Sequence, residues 1–301
     1  MLGPVLFLIY INDIDDRVKS NILKFADDTN IFRPLVMEED VNLLQDDLQQ
    51  LQHWSKDWQM LFNADKCRSI HFGHNNSGHL YTMDGKALEQ VTEEKDLGIM
   101  VTDNLKCGRQ VAEAAKKANR ILGVINRYIV HRDGRIILQL YKSLVRPHLE
   151  YAVQAWNPHL QKDILLLEKV QRRATKMISG LQHLPYEQRL RKLNLTTLED
   201  RRLRGDLIET YKLMNGYEDI NPDQFFIRNR QGRTRGHQLK LFTPYARLDC
   251  RKHSFSVRVV KHWNKLSKEA VNAESINIFK GHVDNYVRRG AYTRHYRLPA
   301  P

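Results

Sequence analysis

Two short runs near the start of the chain, Ile22-Leu23-Lys24-Phe25 and Thr29-Asn30-Ile31-Phe32, read as strands, with Ala26-Asp27-Asp28 between them. They predict a β-hairpin with two aspartates at its tip, a place that turn chemistry favours for Asp. The period then changes. Val41, Leu44, Leu48, Leu51, Trp54, Trp58 and Leu61 recur at three- and four-residue spacing, which predicts an amphipathic helix with both tryptophans packed against a sheet. Glu38, Glu39 and Asp40 suit the positive end of its dipole. Short strands are expected at 69–72 and 97–101, with turns at Asn75-Asn76-Ser77-Gly78 and Asp84-Gly85.

Beyond about residue 105 the pattern is helical. Val111, Ala114, Ala118, Ile121, Ile125 and Tyr128 form one stripe, and Ile137, Leu140, Leu144 and Val145 begin another, which Pro147 is expected to kink. Leu167, Val170, Ala174 and Met177 mark a third helix, and Leu203, Leu207, Tyr211 and Met214 a fourth, entered through Arg201, Arg202 and Arg204. Gly216 and Asn221-Pro222 then predict a break. The apolar stretch at 2–11 is too short for a bilayer, which needs about 20 apolar residues. It lacks a basic start and runs into Asp13, Asp15 and Asp16, so a buried element is expected there rather than a leader.

Charge is distributed unevenly. Residues 1–102 hold 9 Lys and Arg against 17 Asp and Glu, a net of −8, and residues 103–301 hold 39 against 18, a net of +21. An acidic front suited to gathering metal and a basic rear suit a polymerase joined to a nucleic-acid-binding tail, although a basic chromatin or ribosome-associated protein has the same signature. Cys67, Cys107 and Cys250 are far apart, so a reducing compartment is expected rather than a disulfide framework.

The candidate chemistry centres on Asp27 and Asp28. Two ionised carboxylates held close repel strongly unless a cation lies between them, and their oxygens are the ligands magnesium prefers. An Asp-Asp turn is equally at home in water, so the pair alone leaves both readings open. Lys169, Arg172, Arg173 and Lys176 share one helical face, either a solvated surface or one that tracks phosphates. Arg228, Arg230, Arg233, Arg235 and Lys240 lie in a polar loop, either a disordered arm or a nucleic-acid contact. Phe255, Trp263 and Tyr286 lie among cations, suited either to stacking on bases or to core packing. Cys250, His253 and His262 lack a fourth ligand at suitable spacing, and no zinc site is expected.

Several ordered segments then narrow the choice. Leu2-Gly3-Pro4-Val5-Leu6-Phe7-Leu8-Ile9-Tyr10-Ile11-Asn12-Asp13 followed by Lys24-Phe25-Ala26-Asp27-Asp28-Thr29 resembles the palm core of a reverse transcriptase, in the form found in jockey-like non-LTR retrotransposons. Trp58-Gln59-Met60-Leu61-Phe62-Asn63-Ala64-Asp65-Lys66-Cys67 resembles the segment after the catalytic hairpin, and Glu94-Lys95-Asp96-Leu97-Gly98-Ile99 the primer-grip hairpin. Tyr141-Lys142-Ser143-Leu144-Val145-Arg146-Pro147-His148-Leu149-Glu150-Tyr151, Gln171-Arg172-Arg173-Ala174-Thr175-Lys176-Met177-Ile178 and Val257-Arg258-Val259-Val260-Lys261-His262-Trp263-Asn264 resemble the region downstream of the polymerase core.

The resemblance implies an α+β fold: a partial polymerase palm with the catalytic β-hairpin at 1–102, a mainly α-helical thumb-like or connection region at 103–219, and a basic C-terminal region at 220–301. It implies RNA-directed DNA synthesis, with dNTPs added to a DNA primer on an RNA template by two magnesium ions about 3.5–4 Å apart. Asp27 would be a metal ligand, with Asp28 beside it as a second acidic contact, and Lys66 would meet the departing pyrophosphate. Gly3, Pro4, Phe25 and Ala26 would line the nucleotide pocket, and Leu97, Gly98 and Ile99 would form the primer grip.

In the family a third catalytic aspartate precedes the Leu-Gly-Pro segment. A C-terminal fragment of the element's polyprotein is therefore expected, inactive alone, with Leu6, Phe7, Leu8 and Ile9 exposed or repacked. Two alternatives remain open: a non-catalytic nucleic-acid-binding module built on the basic rear, and an interaction protein whose palm edge pairs with an intact element polymerase. No membrane partner is expected, and the location is expected to be nuclear or cytoplasmic rather than secreted.

Overall fold

A computed structural model describes residues 2–73, 75–229 and 236–291, and the chain divides near residue 100 into two units. The first begins with α1 (Leu2–Tyr10), in which Pro4 occupies the first turn, where a missing N–H costs nothing. None of its residues is buried, and Leu2, Val5, Leu6, Leu8 and Ile9 are each more than half exposed. The expected buried element is therefore corrected to an exposed helix. Pro4 in the first turn and Leu2, Leu6 and Leu8 favour helix, whose period spreads the side chains around the axis, and the core instead takes Ile11 and Ile14 from the following turns.

Strands β1 (Asn21–Phe25) and β2 (Asp28–Phe32) form the expected hairpin, in register from Asn21↔Phe32 to Phe25↔Asp28. Alternation gives it two unlike faces. Ile22 and Ile31 pack on a core of Ile14, Leu48, Leu51, Tyr81, Met83 and Leu88, while Leu23, Phe25 and Phe32 face outward and stay exposed.

Helix α2 (Glu38–Asp57) supplies Leu48 and Leu51 to that core. At its start the Asp40 carboxylate accepts the N–H groups of Val36 (2.9 Å) and Met37 (3.0 Å) and meets Arg33 at 3.0 Å, which together hold its pKa down to about 2. Buried Asp47 accepts the N–H groups of Lys19 (2.9 Å) and Ser20 (2.8 Å), fixing the chain's entry into β1. Only Trp54 of the expected aromatic pair joins the core, donating its indole N–H to Asp13 at 3.0 Å. Trp58 lies just past the helix, 41% exposed, edge-on to Tyr10, so its predicted packing against a sheet is corrected.

The remaining strands are short. β3 (Arg68–Ser69) pairs in parallel with β6 (Glu89–Gln90). Only the start of the strand expected at 69–72 forms. Between them β4 (Thr82–Met83) and β5 (Lys86–Ala87) make a hairpin across Asp84 and Gly85, both at positive φ as a type I′ turn demands. β7 (Glu93–Asp96) and β8 (Ile99–Thr102) pair across Leu97 (φ 43°) and Gly98 (φ 85°) in the same manner.

The second unit is helical. Its first core joins α3 (Gly108–Tyr128), α4 (Gly134–Leu140), α5 (Pro147–Glu150), α6 (Val153–Trp156) and α7 (Gln161–Lys176) around Val111, Ala118, Ile137, Val145, Leu149 and Leu167. One π turn, Tyr141–Val145, follows α4 directly and ends just before Pro147, where the expected irregularity falls. It changes which residues are buried. Ile137, Tyr141, Val145 and Leu149 face the core, and Leu144, placed on the apolar stripe by α-helical spacing, is 47% exposed.

Helix α8 (Tyr186–Lys192) carries Tyr186, which donates its hydroxyl to buried Glu168 and accepts Gln171 at 2.8 Å. Glu168 also accepts the N–H of Leu198 at 3.0 Å, yet burial still raises its pKa. Helix α9 (Leu198–Met214) leads into a second core with Leu207, Tyr211, Phe226, Leu241, Trp263, Phe279 and Val283. α10 (Asp249–Lys252), α11 (Phe255–Arg258), α12 (Val260–Trp263), α13 (Lys268–Val271) and α14 (Ile276–Ala291) complete it. This core contains residues on both sides of position 220, so the regions drawn at 103–219 and 220–301 share it.

Candidate active site

The hairpin loop is only Ala26 and Asp27, because Asp28 already pairs with Phe25. Ala26 has φ 52° and Asp27 does not share the positive φ, the pattern of a type II′ turn, in which the first central residue takes that region. Asp27 therefore projects from the loop, and Asp28 stands on the exposed face beside Phe25. Both aspartates are exposed, and neither carboxylate makes a hydrogen bond or ion pair among the described residues. On the other face Lys24 reaches back to Asp15 at 2.6 Å and to the Asn12 carbonyl at 2.9 Å, and this contact lowers the Asp15 pKa. Two residues along β2 from Asp28, Asn30 donates to Asp96 at 3.3 Å.

The donor chemistry suits magnesium, and the donor number does not complete a site. Two hard carboxylates are present, but among the described residues no three His, Cys, Asp or Glu side chains converge where they could hold a metal ion. Cys250, His253 and His262 likewise make no such group; His253 instead stacks on His159 at 3.9 Å between ring centroids.

The other predicted residues are distributed as follows. Lys66 is exposed in a turn, and no hydrogen bond or ion pair joins it to Asp27 or Asp28. Its neighbour Asp65 takes Lys86 at 2.8 Å. Gly3 and Pro4 lie in the first turn of α1, and a Cβ built on Gly3 would meet nothing within 4 Å, so no neighbour in the chain requires glycine there. Leu97 and Gly98 form the tight turn described above, with Ile99 beginning β8; a Cβ on Gly98 would stand 3.5 Å from the Tyr151 ring.

On α7, Lys169, Arg173 and Lys176 are exposed, and Arg172 lies over the Tyr186 ring at 4.5 Å. Arg173 also donates to Asn119 at 2.9 Å, and with Lys176 and Arg132 it lines an open groove of about 530 Å³. Arg230, Arg233 and Arg235 lie outside the described residues. Trp263 is fully buried and Phe255 nearly so, which makes them core residues rather than stacking platforms. Sequence reading passed over a second basic cluster, formed by Lys142, Arg146, Arg201, Arg204 and Arg288.

Residues 1–125 match the family described as reverse transcriptase (RNA-dependent DNA polymerase). The chain is similar to the RNA-directed DNA polymerase from mobile element jockey of Drosophila funebris, 23% identical over 193 residues, covering 60% of this chain and 21% of that protein. The protein of the same name from Drosophila melanogaster is 23% identical over 194 residues, with the same coverage. The similarity to the reverse transcriptase family thus covers residues 1–125, and the chain spans about a fifth of the length of the curated relatives it matches. No solved structure matches it. Among the described residues no helix is long and apolar enough to cross a membrane.

Proposed function

We propose that the first unit is the part of a mobile-element RNA-directed DNA polymerase that presents the catalytic aspartates, and that this chain by itself does not polymerise. The observation carrying this reading is the pair Asp27 and Asp28 at the end of a tight hairpin, with carboxylates free of competing partners among the described residues, inside the stretch that matches the family. Asp27 would hold metal and Asp28 would add a second acidic contact. Bound magnesium would activate the primer 3′ hydroxyl and neutralise charge on the incoming dNTP. Exposed Lys66 would offer a cation to the departing pyrophosphate, Gly3, Pro4, Phe25 and Ala26 would border the nucleotide, and Leu97, Gly98 and Ile99 the primer end. Inactivity rests on the donor count, since two carboxylates leave much of the metal shell to other groups.

Primer extension on an RNA template with magnesium tests both halves, using the wild-type chain beside an Asp27→Ala, Asp28→Ala variant. No extension by either is expected from the isolated chain. Extension by the wild type that the variant loses would overturn the inactivity, and extension unaffected by the variant would overturn the site.

A second reading is favoured by the net +21 of residues 103–301 and by the exposed cations Lys169, Arg173 and Lys176 on α7. In it the second unit binds the RNA template or DNA primer through phosphates, independently of the hairpin, or accompanies an intact element polymerase. Binding that survives Asp27→Ala and weakens steeply with salt would support it, and affinity insensitive to salt would sink it.

A further inference from the structure

Five cations from three separate segments meet in one cleft of the second unit. Lys142 and Arg146 come from the π turn and the residue after it, Arg201 and Arg204 from α9, and Arg288 from α14. The cleft holds about 280 Å³, near the lower end of ligand sites, which run from about 300 Å³ upward. Its lining is mostly charged, with Leu195 and Val287 the apolar members, so an apolar ligand has little to bury there.

Three carboxylates, Glu150, Asp200 and Asp284, stand near these five cations and leave them in excess. Glu150 is bound by Arg201 through both oxygens and is shared with Arg146, whose Nε stands 3.7 Å away. Asp284 is taken up by Arg204. Among the described residues Lys142 and Arg288 have no carboxylate partner, and Arg288 meets the neutral Asn194 amide oxygen at 3.1 Å. Arg146 is largely buried, and burial together with the positive charge of Arg201 lowers its pKa.

We propose that this cleft is a binding site for the phosphodiester backbone of a nucleic acid, with Lys142, Arg146 and Arg288 as the phosphate-contacting cations. The ion pairs of Arg201 with Glu150 and Arg204 with Asp284 act as fixed walls that hold α9 and α14 in place around the ligand. Guanidinium forks suit phosphate oxygens, and a small charged cleft on a strongly basic unit accepts one or two phosphates of a longer strand. This inference rests on the reading of the second unit as a nucleic-acid binder and assigns that binding to a place.

The test is fluorescence anisotropy of a labelled single-stranded RNA with the full chain across a salt series. Lys142→Glu, Arg288→Glu is compared with a charge-matched control, Lys162→Glu, Lys265→Glu, both pairs being exposed. The cleft variant is expected to lose about tenfold in affinity or more and to lower the salt slope by about two, while the control keeps both near wild type. Equal losses in the two variants, or an unchanged cleft variant, would overturn the cleft and leave general nucleic-acid binding standing. No binding by the wild-type chain would overturn both. Pyrophosphate binding lost in the cleft variant, with RNA binding unchanged, would assign the cleft to a free phosphate and refute the backbone reading. Equally tight binding of poly-glutamate that the variant also loses would refute it in favour of an acidic peptide.

Discussion

Phe25 and Asp28 stand opposite each other as the last pair of the hairpin, which puts a ring and a carboxylate side by side on its exposed face. Since neither Asp27 nor Asp28 makes a side-chain hydrogen bond or ion pair among the described residues, replacing both with Ala should change stability by no more than about 0.5 kcal/mol. Urea unfolding of the variant checks this, and a larger loss would show that the pair is structural.

Leu97 holds φ 43° in a two-residue turn, a region that costs an L-residue about 1–2 kcal/mol. Leu97→Gly is expected to raise the stability of the β7–β8 hairpin, less the entropy glycine loses on folding, for a net gain of up to about 1 kcal/mol. A fall in the urea midpoint would mean that the Leu97 side chain contributes more than its backbone costs.

Asp40 titrates at about 2 in the folded chain because two backbone N–H groups and Arg33 favour its ionised form. A carboxylate depressed in this way contributes its full stability above the unfolded value, about 3.9, and loses it as pH falls through the folded one. Unfolding measured between pH 5 and pH 2, limits set about those two values, should show a decline that Asp40→Asn flattens. Identical pH profiles in the two proteins would remove Asp40 from the account.

Asp206 and Arg258 form a buried pair at 2.9 Å, and Arg258 also donates to the carbonyls of Val153 and Gln154, each at 3.1 Å. Asp206→Ala strands that guanidinium and is expected to cost about 3–5 kcal/mol, whereas the Asp206→Leu, Arg258→Met pair should recover much of the loss. Chemical denaturation of the single and double variants decides this, and additive losses would argue against direct coupling.

How far these elements could be read beforehand varied with the kind of signal. Asp84-Gly85 declared its turn because both residues tolerate positive φ, and the hairpin at 21–32 was marked by strand-forming runs on either side of a short polar tip. The 2–11 stretch misled because an apolar run with no period fits a strand or a helix equally well. Trp58 kept helical spacing after the helix had ended. The two aspartates were legible as a pair, but whether a third carboxylate converges on them is a tertiary question. The basic cleft was hidden for the same reason, since its cations are spread from position 142 to position 288.

The π turn ahead of Pro147 has a consequence for that cleft. In a regular helix every fourth residue advances by about 40° around the axis, so a line of side chains at that spacing drifts steadily off its face. Ile137, Tyr141, Val145 and Leu149 hold one line nevertheless, because the wider turn takes up the drift. Lys142 and Arg146 follow the same spacing one residue along, so the turn works as a phase corrector for two faces at once. Keeping every residue but winding the segment as an uninterrupted α-helix would carry the side chains beyond the turn about 100° around the axis, moving Arg146 off the cleft without changing the composition of the helix.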